Sequence, residues 1–149
     1  MWRAIGDRLK SGGLAIPCAK RSLWVHGETP LQFDAARPLL RAIMRDRPHV
    51  ALVLTAHRRD TLDYLRSAFE NDQVLPCPLN RAPVLRRYFT RLRVEYILLL
   101  EGGRSFPGGA IRLAVARNIP LSAVNRGSGA AIDDALLKAA CAAPLKVRL

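Results

Sequence analysis

Three side chains in this chain have the type and position that proton transfer requires. Glu28 and Glu101 each stand at the end of a short apolar run that reads as a buried strand, and His26 closes the first of those runs. A carboxylate or imidazole at a strand end, next to a helix start, is placed to take a proton from a hydroxyl bound over the sheet edge. Each also has a plainer reading. The carboxylates serve equally as acceptors for loop amides or an arginine, or as solvated groups, and the imidazole as a core or loop-bracing histidine. Further along, Gly102, Gly103, Gly108 and Gly109 flank Arg104 and Ser105 in a loop after a strand. Exposed amides in such a loop can cradle a phosphate. Neither GxxxxGK followed by Ser or Thr nor GxGxxG occurs, so the glycines carry no nucleotide-binding fingerprint.

Basic residues form a second pattern. Arg37, Arg41 and Arg45 recur at i, i+4 and i+8, and Arg86, Arg87, Arg91 and Arg93 crowd a later helix. With 24 Lys and Arg against 12 Asp and Glu, the net charge is +12 and the pI is near 11.0. Such a balance favours an anionic partner, whether lipid phosphate, membrane surface or nucleic acid. Solvated helix faces and the codon bias of a GC-rich genome are the plainer explanations. Aromatics make up only 6% and are scattered, which disfavours stacking on single-stranded nucleic acid. Cys18, Cys77 and Cys141 are widely separated, with no CxxC, and are accompanied only by His26, His49 and His57. Their spacing indicates neither a zinc site nor a disulfide framework, and no cofactor is expected.

The elements that would position these groups follow from apolar periodicity. Residues 23–26, 50–55, 74–76, 96–101 and 121–125 read as short buried strands. Between them lie helical patterns. In the one over residues 34–46, Ala35, Leu39 and Ile43 form a row beside Ala36, Leu40 and Met44. Leu62, Leu65 and Phe69 mark a second helix; Val84, Leu85, Tyr88, Phe89 and Leu92 mark a third, with Pro83 suited to its first turn. This alternation predicts an α/β fold: a parallel, doubly wound sheet of five or more strands with right-handed crossovers and helices on both faces. Residues 1–22 read as an amphipathic, basic lead-in and 23–149 as a single domain. Trp2, Ile5 and Leu9 share a face that suits either a membrane interface or packing on the domain. Residues 130–142 read as a last helix. No apolar run approaches the ~20 residues of a membrane span, and the start lacks a secretory signal. The expected location is therefore cytoplasmic, with peripheral attachment to the inner face of the cytoplasmic membrane as an extension of the charge reading.

Four segments resemble motifs of the transferases of 3-deoxy-manno-octulosonic acid (Kdo). LWVHGETPLQFDAARPLL, residues 23–40, resembles the family's opening motif, close to WIHAVSVGEVxAALPLI, with Trp24, His26, Ala35, Ala36, Pro38 and Leu39 in register. PLNRAPVLRRYFTRL (78–92) is similar to PLDxPxxVRRFLxRL, with Asn80 where Asp is usual. YILLLEGGRSFP (96–107) is similar to LVVLETELWP, aligning Glu101 and Pro107 across one inserted residue and lacking the second glutamate. IPLSAVNRGS (119–128) resembles IPxxLVNARLS, which aligns Asn125 and sets Arg126 one position early.

The resemblance implies the N-terminal, acceptor-binding half of a GT-B glycosyltransferase built from two Rossmann-like halves. Its partner half would bind CMP-Kdo, and the acceptor would be an anionic, lipid A-like molecule at a membrane surface. In the aligned register the family's catalytic glutamate falls on Gln32, and Thr29, Pro30 and Leu31 replace SerValGly. A carboxamide takes no proton at neutral pH, so the chain alone is expected not to transfer Kdo. The residues implied for the chemistry are Gln32, with Glu28 and Glu101 as alternative carboxylates; those implied for substrate are His26, Arg37, Arg104, Ser105, Asn125 and Arg126. Gln32, Glu101 and Asn125 are expected to converge at the C-terminal strand ends. A non-catalytic basic module for anionic lipid, sugar or nucleic acid is the alternative.

Overall fold

The computed structural model describes residues 20–69, 72–100 and 105–124. Within them five strands alternate with four helices: β1 (Arg21–His26), α1 (Pro30–Asp46), β2 (Val50–Ala56), α2 (Arg59–Ala68), β3 (Gln73–Pro76), α3 (Ala82–Leu92), β4 (Val94–Leu100), α4 (Gly108–Ala116) and β5 (Leu121–Val124). The sheet order is β3-β2-β1-β4-β5, and every neighbouring pair is parallel. This is the expected α/β, Rossmann-like architecture. The near-continuous apolar wording of VALVLTA and VEYILLL follows from it, because strands in a parallel sheet are covered on both faces.

Side-chain alternation along the strands divides the core into two layers. Leu23, Val25, Leu52, Leu54, Leu98 and Leu100 point to one face, where Phe33, Leu39 and Leu40 of α1 and Leu62 and Leu65 of α2 cover them. Trp24, Val53, Leu75, Ile97 and Leu99 point to the other, under Leu85, Tyr88, Phe89 and Leu92 of α3 and Ala110 and Ala114 of α4. The predicted helix faces are therefore the buried ones. Pro38 removes one hydrogen bond within α1, yet the helix runs on for 17 residues because Leu39, Leu40 and Ile43 beyond it are anchored in the core.

Element boundaries differ from the sequence reading at several points. β1 begins at Arg21 and β4 at Val94, each earlier than expected. α1 begins at Pro30 rather than near residue 34, so the Thr29-Pro30-Leu31 stretch, expected as loop, is the cap and first turn of a helix. Gly108 and Gly109, expected in a loop, open α4. Glu101, Arg104, Asn125 and Arg126 lie outside the described residues, as do the two expected terminal helices, Cys18 and Cys141.

Gly27 marks the tightest point of the β1–α1 turn. A Cβ there would lie 2.8 Å from the Phe33 ring and 3.1 Å from Leu100 Cδ1. Phe33 is fully buried and has no room to retreat. Gly27→Ala should therefore cost about 1–3 kcal/mol of stability by overpacking. Urea unfolding midpoints of the variant and parent test this, and equal midpoints would show that the turn relaxes.

Candidate functional site

The strand order reverses between β1 and β4, which opens a crevice above their C-terminal ends. The chain from Gly27 to Gln32 forms one side of it. Thr29 is the N-cap of α1, with Pro30 at the start of the first turn. The Gln32 amide donates to Thr29 Oγ1 at 3.4 Å, and Gln32 Oε1 accepts the Glu28 backbone N–H at 2.7 Å. This is a capping box displaced by one residue: the side chain three positions into the helix reaches back to satisfy an amide just ahead of it. Glu28 is half-buried, and its carbonyl accepts from the Thr61 hydroxyl at 2.9 Å, which fastens the loop to α2. Gln32 and Glu28 thus stand together at a helix N-terminus, where negative charge is favoured.

His26 lies beneath this loop and is fully buried. Its Nδ1 is 3.0 Å from Thr55 Oγ1 on β2, and its Nε2 is 2.9 Å from Ser105 Oγ on the far side of the crevice. The same Thr55 oxygen accepts the Trp24 indole N–H at 2.8 Å. Phe106 packs against both rings, edge-on to Trp24 with its centroid 5.1 Å away and tilted against His26 at 5.3 Å. His26 and Ser105, two expected substrate contacts, are therefore brought together, and the histidine braces the segment that carries the serine. Burial, reinforced by the neighbouring His57, lowers the His26 pKa from 6.5 to about 4, so the ring is neutral at physiological pH.

His57, which the sequence reading left without a role, also reaches Ser105. Its Nε2 donates to the Ser105 carbonyl at 2.6 Å, and its ring meets His26 edge-on at 5.5 Å. Cys77, buried just past β3, completes a group of three potential metal ligands. One ring nitrogen from each histidine and the Cys77 sulfur all lie within 4.8 Å of one another.

The arginines are distributed less simply than their spacing implied. Arg37 is built into the fold: its guanidinium sits 4.9 Å over the Phe69 ring, donates to Asp34 at 3.1 Å and reaches Tyr64 at 3.3 Å. Arg41 and Arg45 line a groove with Phe69 and Asp72 on the α1 flank. Arg86 and Arg87 lie on α3, across the sheet from them. Arg86 lines a cavity of about 360 Å³ together with Asn80, Gly109 and Arg112, where α3 and α4 begin. There Asn80 Oδ1 accepts the Gly109 amide at 2.9 Å, tying the two helix starts together.

The domain is thus a Rossmann-like sheet with polar groups gathered at the β1/β4 crevice. A family model of 3-deoxy-D-manno-octulosonic-acid transferase, describing its N-terminal domain, matches residues 4–127, and the chain belongs to that family. No curated protein matches the chain.

The His26 environment carries a pH signature. Its folded pKa of about 4 lies below the ordinary 6.5, so between those values the unfolded chain holds a proton that the folded chain lacks. This contribution to stability is fully present above pH 6.5 and is lost as pH falls toward 4. The loss between pH 8 and pH 5 should be about 2 kcal/mol. Urea unfolding at both pH values, on the parent and on His26→Gln, measures it. The variant should show a smaller difference between the two, and an unchanged difference would locate the titration elsewhere.

Proposed function

We propose that this chain is the acceptor-binding half of a Kdo-transferase-like glycosyltransferase, that its acceptor is an anionic, lipid A-like phosphoglycolipid, and that it does not transfer sugar alone. The observation that carries the last point is Gln32. The family resemblance assigns this position to the catalytic base, and here a carboxamide fills it with its oxygen committed to the Glu28 amide. Transfer requires the acceptor hydroxyl to lose its proton while it is aligned with an activated donor. Gln32 supplies no base, and in this reading the CMP-Kdo site belongs to a separate or C-terminal half.

The acceptor reading is supported by the net charge of +12 and by the pairing of Arg86 with Arg112 around one cavity at the strand-end edge. A phosphate fits two guanidinium groups because they present planar, multiple donors at fixed spacing. The proposed place of action is the inner face of the cytoplasmic membrane, where the chain sits peripherally; among the described residues no helix is long and apolar enough to cross a membrane.

Incubated with CMP-Kdo and a lipid A precursor, the purified chain should form no Kdo-linked product. Gln32→Glu should leave that result unchanged while preserving stability, since a carboxylate caps a helix N-terminus at least as well as an amide. Turnover by either protein would overturn the proposal.

Co-sedimentation with vesicles containing a lipid A-like phosphoglycolipid should fall as salt rises, because attraction to the surface fades beyond a Debye length of ~8 Å at physiological ionic strength. Reversing Arg86 and Arg87 together should weaken binding at least about 10-fold, given ~1 kcal/mol per basic residue near an anionic surface. Reversing Lys138 and Lys146 should change it little. Salt-independent binding, or equal loss from the two pairs, would remove the support for an anionic acceptor.

A further inference from the structure

We propose that His26, His57 and Cys77 form a binding site for a single transition-metal ion of the zinc type, at the C-terminal ends of β1, β2 and β3. The three residues are distant in sequence, and the sheet is what joins them. In the parallel register His26 lies beside Thr55, and Ala56 lies beside Pro76, so His57 and Cys77 each follow a paired position. Side chains alternate between faces along a strand. Trp24 and His26, Val53, Thr55 and His57, and Leu75 and Cys77 therefore share one face, the face whose buried layer contains Trp24, Val53 and Leu75. Three neighbouring strands thus end with a metal-ligating side chain on the same side, and their ligand atoms fall within 4.8 Å of one another.

The chemistry of the set fits zinc. Two imidazoles and one thiolate are soft-to-borderline donors, unsuited to magnesium or calcium, which require oxygen. Tetrahedral zinc with bonds of ~2.0–2.3 Å needs ligand separations of about 3.3–3.6 Å. The widest separation must therefore close by about 1.2–1.5 Å, and His57, which is exposed, is the member able to move.

The outer partner of His57 also matches those of metal-bound histidines, which commonly donate their second nitrogen's proton to a carboxylate, a backbone carbonyl or water. A carbonyl oxygen cannot donate, so the bond to Ser105 O fixes the proton of neutral His57 on Nε2 and leaves Nδ1 with the lone pair. His26 has a hydroxyl at each nitrogen, Thr55 on one side and Ser105 on the other, so the nitrogen that ligates the ion gives up one of these bonds while the other keeps its hydroxyl partner. Three protein ligands leave a fourth position for water or an oxygen of a bound molecule, next to Ser105 at the crevice. An ion here would join the ends of three strands in one coordination sphere. The inference does not depend on the proposed acceptor or on sugar transfer.

The test uses the full chain, purified reduced and stripped of metal, and titrated with Zn²⁺ and with Co²⁺ as a spectroscopic stand-in. We expect one equivalent of saturable binding, a thiolate-to-cobalt charge-transfer absorption, a rise in thermal midpoint, and no competition from excess Mg²⁺. Cys77→Ser should abolish the charge-transfer absorption. His57→Ala should weaken Zn²⁺ binding at least about 10-fold while leaving the circular dichroism spectrum unchanged, which keeps the test decisive should a change at buried Cys77 impair folding. His49→Ala, at an exposed histidine elsewhere, and Cys18→Ser combined with Cys141→Ser should both retain the binding. Absence of saturable uptake, uptake without the thiolate absorption, or binding that survives His57→Ala and Cys77→Ser would each overturn the proposal.

Discussion

Burial of the His26 imidazole at the end of the central strand constrains the whole upper half of the domain. A ring with no exposure needs partners for both nitrogens inside the protein, since an unpaired buried polar group costs about 1–3 kcal/mol. β2 meets one need through Thr55, and the segment after β4 meets the other through Ser105. The Thr55 hydroxyl also takes the Trp24 indole proton, which fixes the large ring that Tyr88, Phe89 and Phe106 surround. One buried histidine therefore couples β1 to both neighbouring strand ends and, through Trp24, to the α3 layer. The end of β2 and the segment that carries Ser105 are thus held by hydrogen bonds that begin at the same side chain.

The capping geometry at Gln32 separates two properties that usually travel together. Satisfying the Glu28 amide requires only an sp² oxygen three residues into the helix, and glutamine provides it as well as glutamate would. Accepting a proton from a hydroxyl requires a carboxylate. Exchange of one for the other leaves loop, helix start and motif spacing intact while removing the basic group. In the proposed reading, glutamine at this position keeps the helix cap and leaves out the base.

The general architecture was legible because it depends on local wording. Runs such as Val50 to Thr55 read as strands buried on both faces, and Leu85, Tyr88, Phe89 and Leu92 as one face of a helix. The sequence reading misplaces the start of α1 because it treats Pro30 and Leu31 as loop residues, although Thr29 and Gln32 at that spacing spell a helix cap. α4 was missed because its first two residues are glycines. The need for Gly109 is visible only in space, where a Cβ would lie 2.6 Å from Asn80 Oδ1 and 2.8 Å from Leu85. The grouping of His57 and Cys77 with His26 was illegible for a similar reason. Face alternation is a local property, but which strands are neighbours, and in what register, is set by long-range pairing.

Charge distribution shows the same limit of linear reading and bears on how the proposed anionic acceptor would approach. Arg41 and Arg45 flank the α1 side of the sheet, and Arg86 and Arg87 belong to the opposite layer. No plane can meet both flanks broadside. A surface carrying negative charge can engage one layer, or it can meet the strand-end edge where the helices begin. Arg37 has little part in either arrangement, because Phe69, Asp34 and Tyr64 already engage its guanidinium. Arg86 and Arg112 differ in that they stand within about a turn of their helix starts and share a cavity with Asn80 and Gly109. That edge is also where Glu28, Gln32 and Ser105 lie, so the proposed acceptor, bound there, would bring its hydroxyl near the crevice. Attraction to the flanks alone would hold the chain at a surface without presenting that edge to it.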